Sequence, residues 1–462
     1  MYMIRPTTIT DSILTSSNVP DVNDIGTSAT SLLIEIASKT FTTQTGLPFQ
    51  TGEWVKVYSA AGAANYMYGK ITSYSGTSLV VDVSVIGGSG TKTDWKISYG
   101  WDASAIYPAG DQVQIRDTDL HMIYEALSYT GYEVMTLDVA PSAEWEADTT
   151  ITGQTSSKTC VVVAKLTTYT YLVKDRTGDF TLGEIVGVTG WATQLADQGA
   201  AKPSFAAATN TGYYPPDDVE LDTPLFWKKV AATNRHKAFD DVVGTQTENA
   251  GSITYGLTPG IVTGLAFDKL EGTSVTVTMT DPTEGEVYDE TFDLISTVGI
   301  YDYYEYFFED VVLKTSLEVL DLPPYALATL DITIPYTGGT AKVGNIAIGK
   351  LFDVGTALFD LSFSGADWSQ IEVDDTTGYR TIKKGNYSDT MKVIVRIQND
   401  RLDEVKRLIV YYRGTLIAWI GIENYSCALI FGYPVDRDIL FKNDRYSECS
   451  IEIAGVISDL GD

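Results

Sequence analysis

The sequence predicts a mainly β, multidomain chain: small β-barrel or sandwich modules, a jelly-roll-like β-sandwich and a C-terminal α+β domain. Three observations predict it. Short runs of alternating apolar and polar residues recur between Gly, Pro and Asp turns, as in Leu79-Val-Val-Asp-Val-Ser-Val, and a period of two gives a strand one core-facing side. The composition reads as β-rich, with 29 Tyr, 40 Gly and long Thr/Ser/Val-rich stretches, of which Tyr, Thr and Val favour strands. Helical periodicity is clear in the C-terminal region, between Arg401 and Tyr412. The 462 residues, 44% of them apolar, are enough for roughly three domains with cores to bury.

The elements follow in order. Residues 1–28 read as a polar, extended segment. Residues 29–99 read as a first inserted β-module, with strands at Ser31–Ile36, Trp54–Ser59, Met67–Tyr74, Leu79–Val85 and Trp95–Ser98 and a loop at Gly87-Gly-Ser-Gly. Residues 139–206 repeat that style, with strands at Thr159–Leu166, Tyr169–Lys174 and Glu184–Val188. The pieces around them, 100–138 and 207–240, are too short to fold alone and read as one discontinuous mini-domain. From 241 to 355, strands at Ile261–Phe267, Ser274–Met279, Val287–Phe292, Tyr303–Phe308, Ser316–Leu320, Thr329–Ile334 and Val343–Ile348 predict an antiparallel sandwich. In 356–462, Met391, Val393, Val395 and Ile397 share one face of a strand. A helix follows, with Asn399 or Asp400 as its cap, Leu402, Val405, Leu408, Ile409 and Tyr412 as its apolar stripe, and Gly414 as its end. Leu416–Ile420, Ala428–Tyr433 and Glu448–Ile453 complete an α+β domain.

Charge and rare residues exclude several functions. Lys and Arg total 32 against 61 Asp and Glu, a net charge of −29, so nucleic acid and anionic membrane surfaces are poor partners. The three cysteines, Cys160, Cys427 and Cys449, form no zinc spacing and no disulfide framework; Cys427 and Cys449 pair only if two late strands adjoin, and otherwise stay reduced. The first residues lack a charged region followed by an apolar run, so no secretory leader is expected. No apolar stretch is long enough for a spanning helix. The two histidines, His121 and His236, leave little for metal or proton-transfer chemistry and read as plain structural residues. No metal site and no cofactor are expected.

Candidate sites are few. Asp217-Asp218, Glu309-Asp310 and Asp374-Asp375 have the form of hydrolytic carboxylate pairs, but a chain this acidic produces such neighbours by composition. Without a nucleophile elbow, a zinc-helix motif or a phosphate loop, no enzyme is expected. The aromatic run Tyr301-Asp-Tyr-Tyr-Glu-Tyr-Phe-Phe reads as a strand with rings on both faces, serving a core, an interface or a sugar platform. Trp101, Tyr107, Gly110-Asp-Gln-Val and Tyr124 resemble a short chitin-binding-type module, in which exposed rings stack on sugars; the same mini-fold in a structural role is the alternative. Lys383, Lys384, Lys392, Arg396, Arg401, Lys406, Arg407 and Arg413 concentrate positive charge in the last domain. Of these, Lys406, Arg407 and Arg413 are candidates for a subunit interface, or for an ordinary solvated helix face.

A wider resemblance connects these pieces. Ser16-Ser-Asn-Val-Pro, Trp101…Tyr107-Pro-Ala-Gly-Asp-Gln-Val, His121-Met-Ile-Tyr-Glu-Ala-Leu, Trp227…Thr233-Asn-Arg…Phe239-Asp-Asp, Tyr304-Glu-Tyr-Phe-Phe-Glu, Leu322-Pro-Pro-Tyr and Ile346-Ala-Ile-Gly-Lys occur in that order. Together they resemble a family of tail-associated virion proteins of tailed bacteriophages and prophages. Asp374-Asp-Thr-Thr-Gly and Lys392-Val-Ile-Val-Arg are similar too. Ser38-Lys-Thr-Phe-Thr-Thr-Gln-Thr-Gly-Leu-Pro-Phe and Gly69-Lys-Ile-Thr-Ser-Tyr-Ser-Gly-Thr-Ser-Leu are similar to a small β-module of phage tail and neck proteins. The two inserted modules set this chain apart from family members that run straight from the Ser-Asn-Val-Pro motif to the Trp101-like residue. The resemblance implies a structural component of the tail, neck/collar or baseplate, assembled in the bacterial cytoplasm as a multi-copy ring. Its implied partners are itself and other tail or neck proteins, with no nucleic acid and no membrane insertion. A host-glycan-binding adhesin is the alternative, and a depolymerase is disfavoured because no β-helix repeat appears.

Overall fold

A computed structural model of the chain describes all residues except 23–24, 117–119, 138–140, 142–144, 182–185, 189–202, 220–223, 241, 243, 297–311, 359–360, 374–379, 424 and 456–462. The protein is mainly β, with 54% strand and 5% helix, in several separate sheets. The chain divides into two compact units. One comprises Met1–Val22, Arg116–Met122 and Ala231–Asp462; the other comprises Asn23–Ile115 and Ile123–Val230. No helix among the described residues is long and apolar enough to cross a membrane.

The first unit contains a ten-stranded sheet and a five-stranded sheet. In the five-stranded sheet, Thr247–Leu257 pairs with Leu14–Ser17 and Thr329–Val343, and Ser274–Asp281 lies between Thr329–Val343 and Gly285–Asp293. Its alternate residues Ile253, Tyr255, Leu257, Val275, Val277, Met279, Leu330, Ile332 and Ile334 are buried. They pack in one core with Leu265, Phe267, Val319, Ile346 and Ile348 from the ten-stranded sheet, which makes this region the sandwich that the strand spacing predicts. The strand Thr247–Leu257 does not stand out in the sequence, because its first half is polar and a bulge between Ala250 and Ser252 breaks its alternation. The aromatic run Tyr301–Phe308 lies outside the described residues.

The boundary expected at 355/356 passes through the ten-stranded sheet. Asn345–Asp353 pairs with Gly264–Asp268 on one side and with Tyr2–Pro6 on the other. Tyr2–Pro6 continues to Ile417–Ile420, and the C-terminal strands follow. The expected extended segment therefore supplies an inner strand of a sheet, with Met3 and Ile4 fully buried. Four apolar residues at the start of a polar stretch are too few to announce it.

The helix runs over Leu402–Tyr411. Leu402, Val405 and Ile409 pack with Val393, Val395, Ile397, Trp419, Ile451 and Ile453 on one sheet face, with Leu408 and Tyr412 at the margin. The stripe and the α+β arrangement are as predicted, and Gly414 adopts φ +69° after the last turn. The cap differs: Arg401 occupies that position and makes no side-chain capping bond. Asn399 instead donates from its amide to the carbonyl of Asn443 at 2.9 Å.

In the second unit a six-stranded sheet has the order Gly26–Ser28, Trp95–Tyr99, Trp54–Ser59, Gly62–Ser75, Ser78–Gly87, Ser38–Thr42. Phe41, Val55, Val57, Met67, Leu79, Val81, Trp95 and Ile97 are buried, as the alternation requires. A second six-stranded sheet has the order Val186–Val188, Thr150–Gly153, Thr159–Lys165, Thr170–Lys174, Glu133–Thr136, Ser204–Ala207. Glu133–Thr136 and Ser204–Ala207 pair with each other, so this sheet extends beyond the expected limits of 139–206 at both ends. Arg176 locks it by donating to both Glu133 oxygens, at 2.7 and 2.9 Å.

All three cysteines are free; Cys427 is exposed, and Cys160 and Cys449 are buried. Burial pushes the Cys160 thiol up to about 12 and the Cys449 thiol up to about 11, so both remain protonated and inert at pH 8. A disulfide-exchange reagent should titrate one thiol in the native protein at pH 8 and three after denaturation. Two fast native thiols would contradict this packing.

Candidate functional site

The residues proposed for sugar stacking form a core in the second unit. Tyr107 and Tyr124 are buried, so neither offers a ring face to a ligand. The Tyr107 ring packs edge-on to Trp54 and Trp227, at 4.9 and 5.1 Å between centroids. Its hydroxyl lies 2.9 Å from that of Tyr68, donates to the Asp102 carbonyl at 3.1 Å and accepts the Asp102 N–H at 2.8 Å. Burial raises the Tyr107 phenol further above its ordinary value. The amide of Asn210 brackets the Tyr107 backbone, accepting its N–H at 3.0 Å and donating to its carbonyl at 2.8 Å. Trp101 is half-buried, edge-on to Tyr214 at 5.2 Å.

The Gly110-Asp motif has a structural use as well. Gly110 takes φ +87°, which glycine adopts at little cost. Asp111 then accepts from Lys70 Nζ at 2.5 Å and from Trp54 Nε1 at 3.0 Å. The sugar-platform expectation is therefore corrected for Tyr107 and Tyr124: their spacing serves packing, because both rings are buried and the Tyr107 hydroxyl and backbone groups are satisfied internally.

The carboxylate pairs separate likewise. Asp217 is exposed, whereas Asp218 is buried and accepts the N–H groups of Leu225, Phe226 and Trp227 at 3.1, 2.9 and 2.9 Å. Asp218 is thus committed to the fold. Glu309-Asp310 and Asp374-Asp375 lie outside the described residues. Among the basic C-terminal residues, Arg396 stacks on the Tyr446 ring at 4.6 Å and Arg401 donates to the Asp353 carbonyl at 2.6 Å. Lys406, Arg407 and Arg413 are exposed.

The densest polar constellation in the first unit brings together the two histidines, whose rings lie 4.4 Å apart. His121 is fully buried and His236 is 1% exposed. The chain leaves this unit after Met122 and returns at Ala231, and the Thr233 N–H donates to the His121 carbonyl at 2.7 Å. The two segments flanking the excursion are thereby clamped together, which places residues 121 and 236 side by side.

His121 Nδ1 lies 2.6 Å from Asp21 Oδ1. That oxygen also accepts the Val22 N–H at 2.7 Å, and Asp21 Oδ2 accepts from Arg235 Nη1 at 3.0 Å. Burial pushes the Asp21 carboxyl upward, but the His121 hydrogen bond, the Arg235 charge and the Val22 N–H outweigh it and hold the group below its ordinary range. An ionised Asp21 can only accept, so His121 Nδ1 carries a proton. His121 Nε2 points toward Asp11 Oδ1 at 3.2 Å, while Asp11 Oδ2 accepts from Arg116 Nε at 3.1 Å. His236 Nδ1 lies 3.3 Å from Thr233 Oγ1. Burial above all pushes His236 down to about 4, so it is a neutral imidazole near pH 7.

Asp11, His121 and His236 each bring one donor atom to within 4.8 Å of the other two. Sequence reasoning left this cluster unassembled. Asp11 and Asp21 are hidden among 61 acidic residues, and the signal available was positional, with one histidine on each flank of the segment Ile123–Val230.

No protein-family model matches this chain, and no curated protein matches its sequence.

Proposed function

We propose that the chain is a structural component of a tailed-bacteriophage virion, in its tail, neck or baseplate region, and acts by assembling with copies of itself and with other tail proteins. The observation that carries the assembly reading is the strand Leu429–Phe441. Its first residues, Leu429–Gly432, are buried. Beyond them Tyr433, Val435, Leu440 and Phe441 are exposed, Phe441 to 68%. Large apolar side chains gathered along one exposed strand mark an interaction surface. Nearby in the same sheet, every residue of Ser362–Asp367 is exposed, Phe363 included. It pairs on one side with Tyr387–Gln398, and a sheet edge of this kind is a template for another chain's strand. The ordered motifs from Ser16 to Lys350 supply the phage part of the reading. The exposed Lys406, Arg407 and Arg413 offer positive charge to neighbouring copies of a protein with net charge −29.

Native mass spectrometry and light scattering of the full chain test the assembly. The expected result is a discrete multimer that the double variant Leu440→Asp, Phe441→Asp converts to monomer with unchanged circular dichroism. A wild-type chain that stays monomeric at every concentration overturns it. Quantitative mass spectrometry of purified particles tests the location, and fewer than a few copies per particle would exclude a ring.

A further inference from the structure

We propose that Asp11, His121 and His236 bind a divalent transition-metal ion of the zinc class. The proposal goes beyond the assembly reading and does not depend on it.

Both Nε2 atoms, of His121 and of His236, are fully buried and have no hydrogen-bond partner. A buried polar atom without a partner costs free energy, and here two such atoms belong to adjacent rings. Their orientation is set from behind. The Nδ1–H of His121 is held by Asp21, itself fixed by Arg235 and Val22, and the Nδ1 of His236 faces Thr233 Oγ1. A carboxylate behind the Nδ1–H of an imidazole fixes the tautomer that presents an Nε2 lone pair and increases its basicity, the usual support of a metal-bound histidine.

The third donor is Asp11 Oδ1, 3.2 Å from His121 Nε2. A tetrahedral ion with bonds of about 2.0–2.2 Å spaces its donors about 3.3–3.5 Å apart. That separation is already met by the Asp11–His121 pair and lies inside the 4.8 Å limit for all three. Arg116 holds the other Asp11 oxygen away from the rings, leaving Oδ1 directed inward. Two imidazole nitrogens and one carboxylate oxygen suit Zn²⁺, Co²⁺ or Ni²⁺, whereas Ca²⁺ and Mg²⁺ take oxygen ligands. The Asp11 side chain is 25% exposed, so water has access on that side as a fourth ligand. The ion would tie together three segments distant in sequence, at residues 11, 121 and 236, and so staple the N-terminal segment to the two flanks of the chain's excursion.

The test uses the full chain stripped with chelator, then titrated calorimetrically with Zn²⁺ alone and, separately, with Co²⁺ followed by visible absorption. Wild type is expected to bind one ion per chain and to give the intense visible bands of four-coordinate Co²⁺. His236→Ala should weaken binding at least 10-fold, and Asp21→Asn, which alters the support behind His121 and none of the three donor atoms, by about 10–100-fold. Circular dichroism of the metal-free variants checks that they fold. Absence of stoichiometric uptake by folded wild type overturns the proposal whatever the variants do, and leaves the cluster a structural one. Equally tight binding by wild type, His236→Ala and Asp21→Asn also overturns it, because the ion then sits elsewhere.

Discussion

Replacing Asp218 with Ala is expected to destabilise the second unit by about 3–5 kcal/mol, since three buried N–H groups lose a charged acceptor at once. Asp218 Oδ2 accepts from Leu225, Phe226 and Trp227 in succession, and no single rotation of a neighbouring side chain replaces three bonds. Against typical domain stabilities of about 5–15 kcal/mol, the loss is a large share. Urea unfolding followed by tryptophan fluorescence measures it. Asp218→Asn retains one acceptor oxygen and should cost about half as much, while Asp217→Ala, at an exposed position, should stay within about 0.5 kcal/mol. Equal effects at 217 and 218 would contradict the structural assignment of this pair.

Gly349→Ala should cost about 3 kcal/mol, the upper part of the range for overpacking a core. A Cβ at Gly349 would meet the carbonyl oxygen of Arg5, with the Pro6 Cα also close at 3.2 Å. Both obstacles are main chain, in the strand Tyr2–Pro6 that pairs with Gly349, so no rotamer change relieves them. Hydrogen exchange is expected to show residues 2–5 losing protection in the variant. Gly100→Ala is the control, because nothing lies within 4 Å of its added Cβ. Undiminished protection of residues 2–5 in Gly349→Ala would mean that the strand is not held as described.

Legibility in the sequence tracked how many consecutive residues obey one period. Trp54–Ser59 and the helix stripe Leu402, Val405, Ile409 were readable because each repeats its period over several positions facing a single core. Ser38–Thr42 was missed because Lys39 occupies a buried position beside Phe41, breaking the apolar alternation, and Glu133–Thr136 because four residues are too few. Strand pairing was less legible still: nothing local in Met1-Tyr-Met-Ile reports partners near residues 350 and 420. The histidine cluster was invisible for the same reason. Its members acquire meaning from a fold that returns the chain at residue 231 to where it left at 122, and no spacing rule spans that distance. The Trp101, Tyr107 and Tyr124 spacing was readable, but exposure, on which sugar stacking depends, is a tertiary property.

The placement of Tyr2–Pro6 also sets an order of events during synthesis. Its hydrogen-bonding partners, Gly349–Asp353 and Trp419–Ile420, lie far along the sequence and are translated on the order of tens of seconds later at about 5–20 residues per second. Throughout that interval Met3 and Ile4 have no sheet to enter, while the strands between Gly26 and Tyr99 have all their partners at hand and can close on the ribosome. The earliest strand of the ten-stranded sheet is thus among the last to be seated. The nascent chain carries an unpaired, apolar, strand-competent segment through that interval, and the unit it belongs to completes its folding only once translation has passed residue 420.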